Sequence, residues 1–174
     1  RDSSTSRGLG DVYKRQLLNR AVNDELLAVH QYMYFHFVCD DLGYDLLSGL
    51  FRRTAIQEMM HVEQLSERIL FLKGEVDMKV AGEVQKIHDA REMLKLAVSM
   101  EMQSVEDYNK WANECAANAD SVSKKLFETL TAEEEVHQDQ YDTEMENLQK
   151  FGDHYLALQS VERSKSVAMG TPAE

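Results

Sequence analysis

A Glu, a second Glu 33 residues later and a His three beyond that occur twice in this chain, as Glu25, Glu58 and His61 and again as Glu101, Glu134 and His137. Carboxylates and imidazoles are among the side chains that bind transition metals. One ligand pattern copied at identical spacing in both halves implies two antiparallel helix pairs facing a single buried site that can hold two metal ions. The copy extends beyond the ligands, because a Tyr follows each upstream Glu by seven residues (Tyr32, Tyr108) and a Cys by fourteen (Cys39, Cys115). Of the six His, only His61 and His137 have a Glu three positions earlier, so His30, His36, His88 and His154 are expected to have no metal role.

Apolar spacing predicts four helices, over about residues 17–41, 44–72, 90–117 and 122–150. Their inward faces are expected to read Leu18, Val22, Glu25, Val29, Tyr32, His36; Leu47, Phe51, Thr54, Glu58, His61, Leu65, Leu72; Leu94, Val98, Glu101, Val105, Tyr108, Ala112; and Leu130, Glu134, His137, Tyr141, Leu148. Each helix therefore sets an acid inside. Turns near Gly43 and Asp120 make each pair antiparallel, while residues 73–89 are too many for a tight turn and are expected to cross the length of the bundle. A short fifth helix is expected around residues 154–161 and a frayed tail over residues 161–174.

Residues 1–16 are rich in Ser, Arg and Gly, show no apolar period and resemble translated adapter sequence or an assembly scar. They are expected to be a disordered or non-native extension, with the bundle itself occupying residues 17–160. A chain of 174 residues suits one domain with a sizeable core. The formal charge of −12 and the lack of any basic patch argue against nucleic acid and favour cations as clients. No apolar run approaches the roughly 18 residues of a membrane span, and no charged-then-apolar leader is present, so a soluble cytoplasmic protein is expected. If Glu25 and Glu101 meet at the centre of antiparallel helices, Cys39 and Cys115 lie about 21 Å from it in opposite directions, too far apart for a disulfide.

The chemistry follows from the cost of burial. An ionised carboxylate in an apolar stripe is expensive unless paired or metal-bound, and four of them here converge with only two imidazoles and no evident buried Arg or Lys. Two divalent cations balance that charge. Glu and His together suit iron, manganese or zinc better than copper(I) or calcium.

The strings NDELLAVHQY around Glu25, EMMHVEQLSERILFLKG from Glu58 and EEEVHQDQ around Glu134 make the chain similar to the bacterioferritins of the ferritin superfamily over nearly all of residues 17–158. The resemblance implies an all-α, ferritin-like four-helix bundle with one long crossover between helices two and three and a short C-terminal helix. It implies Glu25 and Glu101 as terminal ligands, Glu58 and Glu134 as bridges between two iron ions, and His61 and His137 completing the two sites. Tyr32 matches a family tyrosine beside the di-iron centre, where it can hydrogen-bond a ligand or supply an electron. Family members are ferroxidases that oxidise iron(II) with oxygen or peroxide and store iron(III) as mineral in a hollow shell of 24 subunits, with a ferredoxin-type electron donor as a further partner.

Bacterioferritins also bind haem b between two subunits through a Met that directly follows the bridging Glu of the second helix, here Met59. One residue's step turns Met59 about 100° away from Glu58, out of its own bundle's centre. Arg53 and Gln57 stand where some members carry a His and an Asp for an extra inner-surface iron, so that auxiliary site is not expected. Three alternatives stay open: a DNA-protecting mini-ferritin of twelve subunits, a di-iron peroxidase resembling rubrerythrin, and a bundle that metal merely staples. The lack of a paired Cys motif counts against the second, and six ligands within one chain against the first.

Overall fold

A computed structural model describes residues 3–170, with side chains at residue 12 and from residue 14 onward. Five helices follow one another: α1 Ser3–Asp41, α2 Asp45–Phe71, α3 Ala90–Ala117, α4 Ser121–Phe151 and α5 Asp153–Ala168. α1 packs chiefly on α2 and α3 on α4, and the two hairpins close on each other to form the four-helix bundle with the short fifth helix at one end. Among the described residues no strand occurs.

The core keeps a seven-residue period in all four long helices. Leu18, Glu25, Tyr32 and Cys39 are buried on α1, and Leu94, Glu101, Tyr108 and Cys115 on α3. Phe51, Glu58 and Leu65 on α2 match Phe127, Glu134, Tyr141 and Leu148 on α4. Such a repeat falls about 20° short of a straight helix in every heptad, so the helices coil round one another and the buried face migrates along each. The expected stripes keep the same period but take the wrong flank, four residues after Glu25, Tyr32 and Leu94 where the core takes three. Val29, His36, Val98, Val105 and Leu72 are only half-buried, and Ala28, Phe35, Ala97 and Met93 occupy the core instead.

Both apolar clusters lie on this heptad frame, one built around Phe35, Phe51 and Tyr141, the other around Trp111, Phe127 and Leu65. Between them lies the layer of Glu and His. Cys39 belongs to the first cluster and Cys115 to the second, and both thiols are free and buried.

Residues 72–89 run along α1, held by a row of side chains spaced four or eight residues apart. Arg15 Nη1 donates to Lys73 O (3.0 Å), Asn19 Nδ2 to Glu75 O (2.9 Å) and Asn23 Nδ2 to Asp77 Oδ2 (3.1 Å), and Gln31 exchanges two bonds with the backbone of Gln85 (2.9 and 2.7 Å). The crossover thus satisfies its own polar backbone on amide side chains as it traverses the bundle.

Two boundaries differ from the sequence reading. α1 begins at Ser3, not near residue 17, and Arg15 from the expected extension bonds the carbonyls at the end of α2. At the other end α5 runs to Ala168 through residues expected to fray. Gln159 Oε1 accepts from Leu46 N and Leu47 N (3.2 and 3.4 Å), first-turn donors of α2 that Tyr44 leaves uncapped, and Arg163 pairs with Asp40 and Asp45 (3.3 and 3.2 Å). Docking partners, not apolar periodicity, define that helix. Residues 1–2 and 171–174, the outermost parts of the expected extension and tail, lie outside the described residues.

Asp89 caps α3 by accepting from Arg91 N and Glu92 N, and Asp120 caps α4 by accepting from Ser123 N. Arg68, 12% exposed, reaches from α2 to Asp120 Oδ1 (2.7 Å) and Ser123 Oγ (2.8 Å), clamping the end of α2 to the start of α4.

Candidate metal centre

One heptad layer carries all six residues of the repeated pattern, and each is at most 2% exposed. They form two overlapping sets whose ligand atoms lie within 4.8 Å of one another, Glu25, Glu58, His61 and Glu134 in one and Glu58, Glu101, Glu134 and His137 in the other. Glu58 and Glu134 belong to both sets. His61 Nδ1 lies 3.4 Å from Glu25 Oε1, 2.9 Å from Glu58 Oε2 and 3.0 Å from Glu134 Oε1. His137 Nδ1 lies 3.0 Å from Glu58 Oε1, 3.2 Å from Glu134 Oε2 and 3.8 Å from Glu101 Oε2. The imidazole rings stack with centroids 5.8 Å apart, so the halves of the site are related as the halves of the sequence are.

Closeness here is not hydrogen bonding. Glu58 Oε1 and Oε2, Glu134 Oε1 and His61 Nδ1 make no hydrogen bond, although each has an oppositely charged or polar neighbour near 3 Å, because the groups meet off the line a shared proton requires. Orphaned buried donors and acceptors of this kind are rare, and a cation among them satisfies all of them at once. The donor set therefore fits two divalent metal ions of the iron, manganese or zinc type.

Electrostatics give the same answer. Burial, then the like charge of Glu58, pushes the Glu25 carboxyl up to about 7 against the pull of His61. Burial raises Glu101 to about 8, and Glu58 is raised by burial and by the charges of Glu101 and Glu134. Burial opposes charge on His137, but its contacts with Glu101, Glu134 and Glu58 outweigh that and lift it to about 12; His61 is raised in the same way. Without metal the layer therefore gathers protons. Divalent ions take their place, so loading releases protons to solvent.

Each tyrosine of the repeat serves the opposite half. Tyr32 Oη donates to Glu101 Oε1 and Tyr108 Oη to Glu25 Oε1. Burial and the neighbouring carboxylates hold both phenols well above their ordinary pKa, so they remain donors and fix the rotamers of the two terminal carboxylates. His61 Nε2 meets Glu133 Oε2 at 2.6 Å. With one ring proton held on Nε2 by Glu133, Nδ1 is the nitrogen that gives up its proton on metal loading, and its lone pair then faces Glu25, Glu58 and Glu134. Tyr108 and Glu133 were absent from the sequence-based site; the seven-residue copy of Tyr32 signalled the first, and nothing in the acidic run 133–135 singled out the second.

A cavity of about 230 Å³ leads to the layer from the groove between α1 and α3. Its inner wall is Glu25, Glu58, Glu101 and Glu134, and at its outer end stand Arg20, Asp24 and Asp107. Asp24 is exposed as a residue, but its carboxyl faces the cavity, where burial and the charge of Asp107 raise it to about 6 while Arg20 pulls it down. Met59 is not part of the layer: it is 52% exposed on the outer side of α2 beside Ile56 and Met60, 41% and 46% exposed.

Comparison with known proteins agrees with this geometry. The profile of the Ferritin-like domain matches residues 15–151. A bacterioferritin of Desulfovibrio desulfuricans is 33% identical over 142 residues, 82% of this chain and 79% of that protein. The chain belongs to the bacterioferritin family. A second member, from Rhodobacter capsulatus, is 30% identical over 149 residues, 86% of this chain and 92% of its own. The crystal structure of the Desulfovibrio desulfuricans bacterioferritin, described with its diiron site in different catalytic states, superposes with a TM-score of 0.86 at 31% identity, covering 88% of this chain and 90% of that one. Among the described residues no helix is long and apolar enough to cross a membrane.

Proposed function

We propose that the chain takes up iron(II) as its substrate, oxidises it to iron(III) at the Glu and His layer, and stores the product as mineral inside a hollow shell built from many copies of itself. The observation that carries this reading is the pair of overlapping ligand sets sharing Glu58 and Glu134. In it Glu25 with His61 and Glu101 with His137 hold one iron each, and the shared carboxylates hold the two close enough to deliver two electrons to one oxygen molecule. Two iron(II) become two iron(III), and oxygen with two protons becomes peroxide. The protein's part is to position the ions, and Tyr32 and Tyr108 keep the terminal carboxylates aimed as the charge on the metal rises.

Met59 fits a haem ligand shared with a second copy, since its thioether is exposed and turned away from the layer. A haem held there would supply one-electron transfer, at a potential that thioether ligation would raise.

The test adds iron(II) aerobically, in steps to several hundred per particle, to metal-free protein with Glu58→Ala alongside, and then weighs the particle and its retained iron. Rapid oxidation with iron kept in a large hollow particle, and loss of both in the variant, is the expected result. Saturation near two irons per subunit with no further retention overturns storage and leaves a di-iron enzyme or a metal-stapled bundle.

A further inference from the structure

A larger cavity, of about 750 Å³, lies between the end of α1, the first turns of α2 and α5, and none of its lining residues belongs to the metal layer. Its acids are already matched. Arg163 pairs with Asp40 and Asp45 (3.3 and 3.2 Å), and Glu162 pairs with Lys165 (2.6 Å). Arg52 and Arg53 stand in the same wall with neither an ion pair nor a hydrogen bond, although the chain as a whole carries a formal charge of −12. Arg53 Nη1 lies 3.3 Å from the point that a Cβ on Gly49 would occupy, so the bare glycine gives that guanidinium its place. A buried donor faces the same need for a partner. Gln159, 5% exposed, commits Oε1 to Leu46 N and Leu47 N, which fixes the orientation of its amide, and its Nε2 is left buried without a partner. Orphaned buried donors are rare, and an anion is the group that satisfies one beside two guanidiniums. Leu46 and Leu158, each 60% exposed, add apolar wall, together with Tyr155, whose hydroxyl donates to Glu144 Oε2 at 2.6 Å. Apolar walls with a few convergent polar groups are the make-up of a small-molecule site.

We propose that this cavity binds a small organic phosphate, whose head accepts from Arg52, Arg53 and Gln159 Nε2 and whose apolar body lies on Leu46, Tyr155 and Leu158. The charge decides the head group. Two unmatched guanidiniums suit a dianion better than a single carboxylate, and a phosphate monoester carries about −1.5 to −2 at pH 7. Guanidinium forks also match phosphate oxygens in geometry.

Phenyl phosphate is a suitable probe, titrated by calorimetry into the full chain free of metal, with inorganic phosphate and benzoate as companions. The expected result is saturable binding of one phenyl phosphate per subunit, with both companions weaker. Arg52→Gln and Arg53→Gln should each weaken it about tenfold or more, since hydrogen bonds to charged groups are the strong ones. Gln159→Glu keeps an acceptor for Leu46 N and Leu47 N, so α5 should stay docked with Tm unchanged, while a carboxylate oxygen replaces the donor and repels the phosphate by a similar factor. No saturable binding by the native chain, or one affinity shared by all the variants, would overturn the site. Benzoate binding as tightly as phenyl phosphate would overturn the dianion, and inorganic phosphate doing so would overturn the apolar wall. The metal layer contributes no residue to the cavity, so its own reading stands or falls separately.

Discussion

Replacing Glu58 by Leu should make the metal-free protein more stable and the metal-loaded protein less so. Glu58 is fully buried, and neither of its oxygens makes a hydrogen bond. Leaving a buried polar group unsatisfied costs about 1–3 kcal/mol, more if charged, and an apolar side chain of similar length at the same place contributes burial of its own. The opposing effect is lost attraction to His61 and His137, 2.9 and 3.0 Å away. Breaking a buried ion pair commonly costs about 3–5 kcal/mol because a charge is stranded. Here none is stranded, since His61 keeps Glu25, Glu133 and Glu134, and His137 keeps Glu101 and Glu134. Removing one of four crowded carboxylates brings the layer nearer to charge balance, so the desolvation gain prevails, by about 2 kcal/mol or about 4–8 °C in Tm for a chain of this size.

In metal the order reverses. A ligand at a hundred times its Kd stabilises the folded state by about 2.7 kcal/mol, and Glu58→Leu removes a donor from both sets. Thermal unfolding at fixed protein concentration, in chelator and in excess zinc or cobalt(II), reads both signs. A variant that melts below the wild type in chelator would refute the view that the metal-free layer is destabilising.

Asp120→Ala should cost about 2–4 kcal/mol in denaturant unfolding, combining a lost N-cap with an Arg68 left unpaired. Burial pushes Asp120 up, yet its bonds from Ser123 and the Arg68 charge hold its pKa below the usual carboxylate value, so this stabilisation is present above about pH 4 and the gap between wild type and variant should close as pH falls further. Glu133→Leu frees the ring of His61 and should weaken one of the two cobalt(II) sites about 10- to 100-fold while leaving the His137 site, as resolved by titration calorimetry. Cys39 and Cys115, at most 1% exposed and pushed up by burial to about 12 and about 11, should resist a thiol reagent in the native protein at pH 8 and both react once it is unfolded. Fast native labelling of either would contradict the packing.

Glu25, Glu58, Glu101 and Glu134 were legible because they occupy one position of a heptad, where any acid interrupts an apolar series. The same frame explains why Tyr and Cys recur seven and fourteen residues after Glu25 and Glu101: each is the next core position along the helix. Helix ends were less legible, since what sets them is contact between distant segments. Gln159 and Arg163 fix α5 against the first turn of α2 and the end of α1, and Arg15 ties the start of the chain to the end of α2. The amide row Asn19, Asn23 and Gln31 marks the path of the crossover, but it reads as an ordinary solvated helix face until the segment lying on it is known.

The heptad frame also says why a chain would accept such a centre. Apolar layers on both sides of it, with Phe51 and Tyr141 at one end and Trp111 and Phe127 at the other, supply the stability of the bundle. The polar layer between them is unfavourable by itself, and its groups are held in place only because the flanking layers lock the helices in register. Rigidity of that kind is what a di-metal site needs, because ligands that cannot relax onto one another keep their lone pairs available for an ion. Tyr32 and Tyr108 extend the same device outward: each sits in the next layer of its own helix and reaches back to the terminal carboxylate of the other repeat, so neither half of the layer is oriented by its own half of the chain alone. A mispaired or register-shifted bundle would lose both tyrosine contacts together, and metal binding therefore reports on the closure of the two hairpins as directly as any measure of the core.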